Sequence, residues 1–154
     1  MALENPSQSN KKNYAWIFFA AIVVGLSAFF KEFVLPKSPH TETSKASLHE
    51  MLQKASLDTN RKCPIVGDDP AFKLVSTEVG PNDIFVYNIV INFDSKQIDN
   101  NGFVNEYRPK LINAYQNSPQ MKFFKENKVK LNYNYESKNG IPIAVISISP
   151  EDSI

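Results

Sequence analysis

The chain has 154 residues, a length suited to one domain, and carries 17 Lys+Arg against 16 Asp+Glu. So even a balance lacks the basic field of a general nucleic-acid binder, and no nucleic-acid partner is expected. Hydrophobic residues at 42% and aromatics at 12% exceed what a disordered chain holds, and one cysteine excludes an intrachain disulfide framework or a cysteine-rich zinc site.

Residues 14–30 read YAWIFFAAIVVGLSAFF without a charge. As a helix this stretch rises roughly 25 Å, and continuation to Leu35 matches a ~30 Å hydrocarbon layer. Lys31 can snorkel to the headgroups, Glu32 sits at the interface, and Tyr14 and Trp16 take aromatic-belt positions. A soluble core helix does not explain a run that is apolar on every face. Gly25 and Ser27 offer a small-x-small cleavage site, yet the apolar run continues through Phe29 and Phe30, which favours an uncleaved anchor over a signal peptide. No cysteine follows the stretch to make it a lipoprotein. Lys11 and Lys12 before the span favour a cytoplasmic N-terminus and a periplasmic main domain, although Lys31 and Lys37 nearly balance them. Ala21 and Gly25 form a small-xxx-small pair through which two helices, and hence a homodimer, could approach. The expected organisation is a tail over 1–13, a single-pass anchor over 14–35, a proline-containing spacer over 36–44, an extracytoplasmic domain over 45–150 and a tail over 151–154.

In the domain, Ser47-Leu-His-Glu50 has capping-box spacing and predicts a helix over about 44–60, with Leu48, Leu52 and Ala55 on one face. Cys63-Pro64 stops it, and residues 67–70 read as a turn. Residues 72–79 predict a strand, ended by Gly80-Pro-Asn-Asp83. Residues 84–93 alternate more clearly, with Phe85, Tyr87, Ile89, Ile91 and Phe93 on one face and Asn88 and Asn92 on the other. Asn100-Asn101-Gly102 opens a helix carrying Phe103, Tyr107, Leu111 and Tyr115, and Pro109 predicts a kink or split in it. Ser118-Pro119 starts a short helix with Met121 and Phe124. Leu131, Tyr133 and Tyr135 alternate in a third strand, Asn139-Gly140 turns, and residues 143–148 form a fourth. The order α-β-β-α-α-β-β predicts an α+β fold: a small antiparallel four-stranded sheet with helices on one face.

Candidate chemistry is sparse. Cys63 has Arg61 and Lys62 beside it and His49 upstream, but no orienting Asn or Asp can be assigned. Its readings are a buried, inert thiol at a helix–loop junction, an intermolecular disulfide outside the cytoplasm, or a nucleophile. Asp68-Asp69 and the stretch from Asp94 to Gly102 read as turn and cap residues, since the latter lacks the alternating acids of a calcium loop. Lys122, Lys125, Lys128 and Lys130 make a basic run, either a solvated face or a phosphate or partner contact. Tyr87, Tyr133 and Tyr135 either pack inside the sheet or form an amphipathic contact surface. No catalytic, metal or cofactor set is expected from these residues.

Taken together, Asn60-Arg-Lys-Cys63-Pro64, Asp68-Asp69, Leu74, Tyr87-Asn88, residues 131–135 and residues 146–150 resemble an uncharacterised family of small bacterial membrane-anchored envelope proteins. Its members combine a CP-x-x-x-D region with paired Y-x-Y-like hairpin strands. The resemblance spans about residues 55–150 and departs at Tyr87-Asn88-Ile89, where a second tyrosine is expected. It implies a bacterial origin and an extracytoplasmic domain, and carries over no catalytic residue. The expected function is a non-enzymatic accessory or interaction module with an envelope protein partner. A second reading is a site for a small apolar or envelope-derived ligand among Phe85, Tyr87, Phe93, Tyr133 and Tyr135, and a third is an enzyme using Cys63 or the Asp pairs.

Overall fold

The computed structural model describes residues 45–66 and 70–152. The anchor expected over 14–35, the spacer, the Asp68-Asp69 turn and the last two residues lie outside them. Helix α1 (Lys45–Asn60) presents Leu48, Met51, Leu52, Ala55, Ser56 and Thr59 inward, at the i, i+3, i+4 spacing of one helical face. Ser47 lies within its first turn, so the expected capping box does not start the helix. Cys63-Pro64, with a cis peptide bond, follows a short turn.

Five strands follow in the sheet order β1-β2-β3-β4-β5: β1 (Ile65–Val66), β2 (Phe72–Val79), β3 (Phe85–Ile91), β4 (Leu131–Ser137) and β5 (Pro142–Ile148). The expected antiparallel four-stranded sheet is thus corrected twice. The two-residue β1 adds a strand beside β2, too short to show any alternation. The central pair β3 and β4 is parallel, with Phe85 opposite Leu131 and Ile91 opposite Ser137. The connection between them holds helices α2 (Asn100–Asn117) and α3 (Lys122–Glu126). A helical crossover returns the chain to the end of the sheet where β3 began, which makes its next strand parallel.

Two bulges adjust the faces. In β2 the register shifts between Leu74 and Ser76, so that Leu74 and Thr77, three residues apart, are both buried. In the β4–β5 pair Tyr135 opposes Ala144 while Glu136 opposes Pro142, an extra residue on β5 that leaves Ile143 in the core. The inner face packs Phe85, Tyr87, Ile89, Leu131, Tyr133 and Ile146 against α1 and against Leu111, Ile112 and Tyr115 of α2. The outer face carries an amide row: Asn134 Nδ2 donates to Asn88 Oδ1 at 3.0 Å, and Asn88 Nδ2 donates to Ser76 Oγ at 3.0 Å.

Helix α2 starts at the N-cap Asp99, whose carboxylate accepts from Asn101 N–H at 3.2 Å. Pro109 does not split it. The helix runs unbroken to Asn117, because Leu111, Ile112 and Tyr115 beyond the proline bury themselves against the sheet. Past its end, Ser118 is followed by Pro119 in a 3-10 turn that leads into α3.

Candidate functional site

The tyrosines Tyr87, Tyr133 and Tyr135 come together under the helices. Tyr87 is 0% exposed and the other two 4% each, so they occupy the core and not the outer surface. Tyr87 and Tyr133 stack with ring centroids 5.0 Å apart and planes 10° from parallel, as the parallel pairing of their strands places them side by side. Burial drives the hydroxyl pKa of each well above the usual phenol range. Among the described residues Tyr87 Oη finds no hydrogen-bond partner.

The other sequence candidates are scattered. Cys63 is half-buried and burial pushes its thiol pKa up, which is the reverse of nucleophile activation. His49 is turned elsewhere: Nδ1 lies 2.7 Å from Asp83 Oδ1, and Nε2 lies 2.9 Å from Gln53 Nε2. Lys122 reaches Glu126 at 3.7 Å, and Lys125 Nζ donates to Gln116 O at 2.7 Å, closing a carbonyl at the end of α2. Asp94 and Asp99 act as caps of a 3-10 turn and of α2. Among the described residues no three His, Cys, Asp or Glu side chains group to hold a metal.

What the fold builds instead is a groove of about 530 Å³ at one end of the sheet. Phe72 and Ile91, opposite each other at the ends of β2 and β3, line it together with Phe103 and Tyr107 from the first turns of α2. Phe103 and Tyr107 stack at 4.4 Å, Tyr107 lies 5.5 Å from Phe72, and Phe103 meets Tyr135 edge-on at 4.9 Å. With Phe72 also 6.5 Å from Tyr135, each of these four rings contacts two others. Phe93 stands just past β3, 48% exposed, also lining the groove.

The charges of the lining are Asp99 and Glu106, with no Lys or Arg among the lining residues. Glu106 Oε1 accepts from Lys110 Nζ at 2.6 Å, and that amine lies 4.8 Å from the centre of the Tyr107 ring, outside the lining. Gly102 permits the arrangement, since a Cβ there would lie 2.6 Å from Asp99 Oδ2. In the sequence Phe93 shares one strand face with Phe85, Tyr87, Ile89 and Ile91, and nothing local connects it with Phe103 or Tyr107.

No protein-family model matches the chain, and no curated protein matches it in sequence. Solved structures do share its fold. A protein of Pseudomonas aeruginosa described as secreted superposes with a TM-score of 0.57 at 14% identity, covering 70% of this chain and 94% of that one. The pilotin EpsS of the Vibrio vulnificus type 2 secretion system superposes at 0.56 with 10% identity, over 71% of this chain and 94% of the pilotin. The pilotin AspS of the Vibrio cholerae type II secretion system gives 0.53 at 9% identity, over 70% and 93%. The domain therefore has the α+β fold found in small secreted and secretion-system proteins of bacteria.

Proposed function

We propose that this chain is a membrane-anchored accessory protein of the bacterial envelope whose α+β domain lies outside the cytoplasm and holds a partner protein without catalysing a reaction. The observation that carries the reading is the fold shared with two secretion-system pilotins over 93–94% of their length. The apolar stretch over 14–35 supplies the anchor, and the spacer over 36–44 sets the domain off from the bilayer. The groove beside α2, with its half-exposed Phe93, supplies an apolar surface on which a partner can bury a side chain.

The test is photocrosslinking in intact cells, with a benzophenone amino acid at Phe93 and, as a control, at Val145, which is 63% exposed on β5. Discrete adducts to an envelope protein from position 93 and none from position 145 are expected. Adducts to cytoplasmic proteins would overturn the topology, and identical patterns from both positions would overturn the groove as the contact.

A groove of this volume also favours a second reading, in which it holds an acyl chain or another small apolar component of the envelope. Lipid co-purifying in stoichiometric amount, and lost in Phe103→Ala, would support that reading over a protein partner.

A further inference from the structure

We propose that the groove formed by Phe72, Phe93, Phe103 and Tyr107 takes a short cationic amphipathic segment of the partner, an aromatic or aliphatic side chain flanked by Lys or Arg; this rests on the reading of the domain as a partner-holding module. The apolar half of that specification comes from the bed. Phe103 and Tyr107 are stacked on each other and packed against Phe72 and Tyr135, so a side chain entering the groove meets rings held by mutual contacts. Phe93, half in solvent, gives the occupant a ring to cover.

The cationic half comes from charge. Two carboxylates, Asp99 and Glu106, stand among the lining residues and no basic side chain does. Asp99 uses Oδ1 on the Asn101 N–H, and Glu106 uses Oε1 on Lys110. Lys110 offsets the charge of Glu106, so the two carboxylates leave one net negative charge at the groove for an incoming ammonium or guanidinium group. The same two carboxylates disfavour a fatty-acid headgroup or an anionic lipid, which selects a peptide over the lipid occupant.

Position within the fold agrees. His49, near the start of α1, is bonded to Asp83 in the turn between β2 and β3, so the described chain begins at that end of the sheet. Phe72 and Ile91 mark the opposite ends of the same two strands, about 23 Å away for a strand of this length. The groove therefore lies at the end of the sheet remote from the start of α1.

The experiment uses the full chain in phosphatidylcholine nanodiscs and two fluorescent peptides with the same Phe and Leu anchors, one flanked by lysines and one by glutamates. Anisotropy should show saturable binding of the lysine peptide, about tenfold tighter than the glutamate peptide at low salt, the advantage shrinking as salt rises. In Asp99→Asn/Glu106→Gln the advantage should fall below about threefold, asparagine being as good an N-cap as aspartate so that α2 is kept. Phe93→Ala should weaken both peptides equally. Equal affinity of the two peptides for the wild-type chain, a lysine advantage that survives the double variant, or no saturable binding would each overturn the proposal. So would photoadducts from position 93 to Phe33-Val34-Leu35, which lie between Lys31 and Lys37 of the chain itself. A failed peptide test with envelope adducts in cells would reject the charge rule alone, whereas absence of both would reject the accessory role.

Discussion

The Asn60 side chain pairs with the Thr77 backbone as a neighbouring strand would: Nδ2 donates to Thr77 O at 2.8 Å and Oδ1 accepts from Thr77 N–H at 2.7 Å. Ser56 Oγ donates to the same carbonyl at 2.9 Å. β1 covers β2 only at Lys73 and Leu74, so Thr77 lies on a stretch of edge that β1 does not reach. The last turn of α1 fills the gap, closing an edge that would otherwise template pairing with another chain. Arg108 does similar work on the far edge, with Nη1 donating to Ser147 O at 3.0 Å.

Asn60→Ala should therefore cost about 1–2 kcal/mol, because the Thr77 N–H loses its partner at a half-buried site while the carbonyl keeps Ser56 Oγ. Asn60→Asp should fare no better, since it removes the donor and brings a carboxylate toward the Thr77 carbonyl. Urea denaturation is the measurement, with a lowered midpoint and an unchanged slope expected. A shift under about 0.5 kcal/mol would mean that water replaces the side chain at this edge.

Two buried tyrosines should respond oppositely to losing a hydroxyl. Tyr115 Oη donates toward Val129 O at 3.0 Å, with Phe124 O at 3.3 Å, tying α2 to the segment that enters β4. Tyr115→Phe should cost about 1 kcal/mol or more. Tyr87 Oη is buried without a partner, so Tyr87→Phe removes an uncompensated polar group and should be neutral or stabilising by up to about 1 kcal/mol. Thermal midpoints of the two variants, measured side by side, check the sign. A destabilised Tyr87→Phe would reveal an unseen hydrogen-bond partner.

The difference between legible and illegible parts of this fold follows the range of the interactions. Phe85, Tyr87, Ile89 and Ile91 alternate with less buried residues, as do Leu131, Tyr133 and Tyr135, so β3 and β4 could be read directly from local pattern. Their mutual direction could not, because hairpin logic does not see that α2 carries the chain back before β4 begins. The bulge after Leu74 breaks the alternation that residue counting relies on. Pro109 argues locally for a break, but burial of Leu111, Ile112 and Tyr115 beyond it outweighs the lost hydrogen bond. The groove was hidden for the same reason. Phe72, Phe93, Phe103 and Tyr107 come from β2, the segment after β3, and α2, and only tertiary packing makes them neighbours.

Alkaline titration should show the buried phenols as a group. Burial holds Tyr87, Tyr133 and Tyr135 well above the usual range and pushes Tyr115 up to about 12. The folded state thus keeps protons that the unfolded chain releases near pH 10. Stability from this source is flat below that pH and falls as pH rises above it. Absorbance at 295 nm should show at least four of the six tyrosines still neutral at about pH 11, ionising only with a cooperative unfolding step. Smooth titration of all six near the normal value would contradict the buried placement.

The acid side depends on Asp152. Its carboxyl is held below the usual range first by the Ser149 N–H, which donates to Oδ2 at 2.8 Å, and also by Arg108, whose Nη2 donates to Oδ1 at 2.7 Å. With the folded pKa depressed, the contribution is present above the unfolded value of about 4 and is lost as pH falls through the lower folded value. Asp152→Asn should accordingly lower the urea midpoint at pH 7, and the gap to wild type should narrow toward pH 3. Arg108→Ala should behave differently. Its guanidinium also serves Ser147 O on the β5 edge, a bond independent of the carboxylate's charge, so part of its cost should persist at pH 3. If both gaps closed to the same degree, the ion pair alone would account for Arg108, and the cap on β5 would contribute nothing measurable.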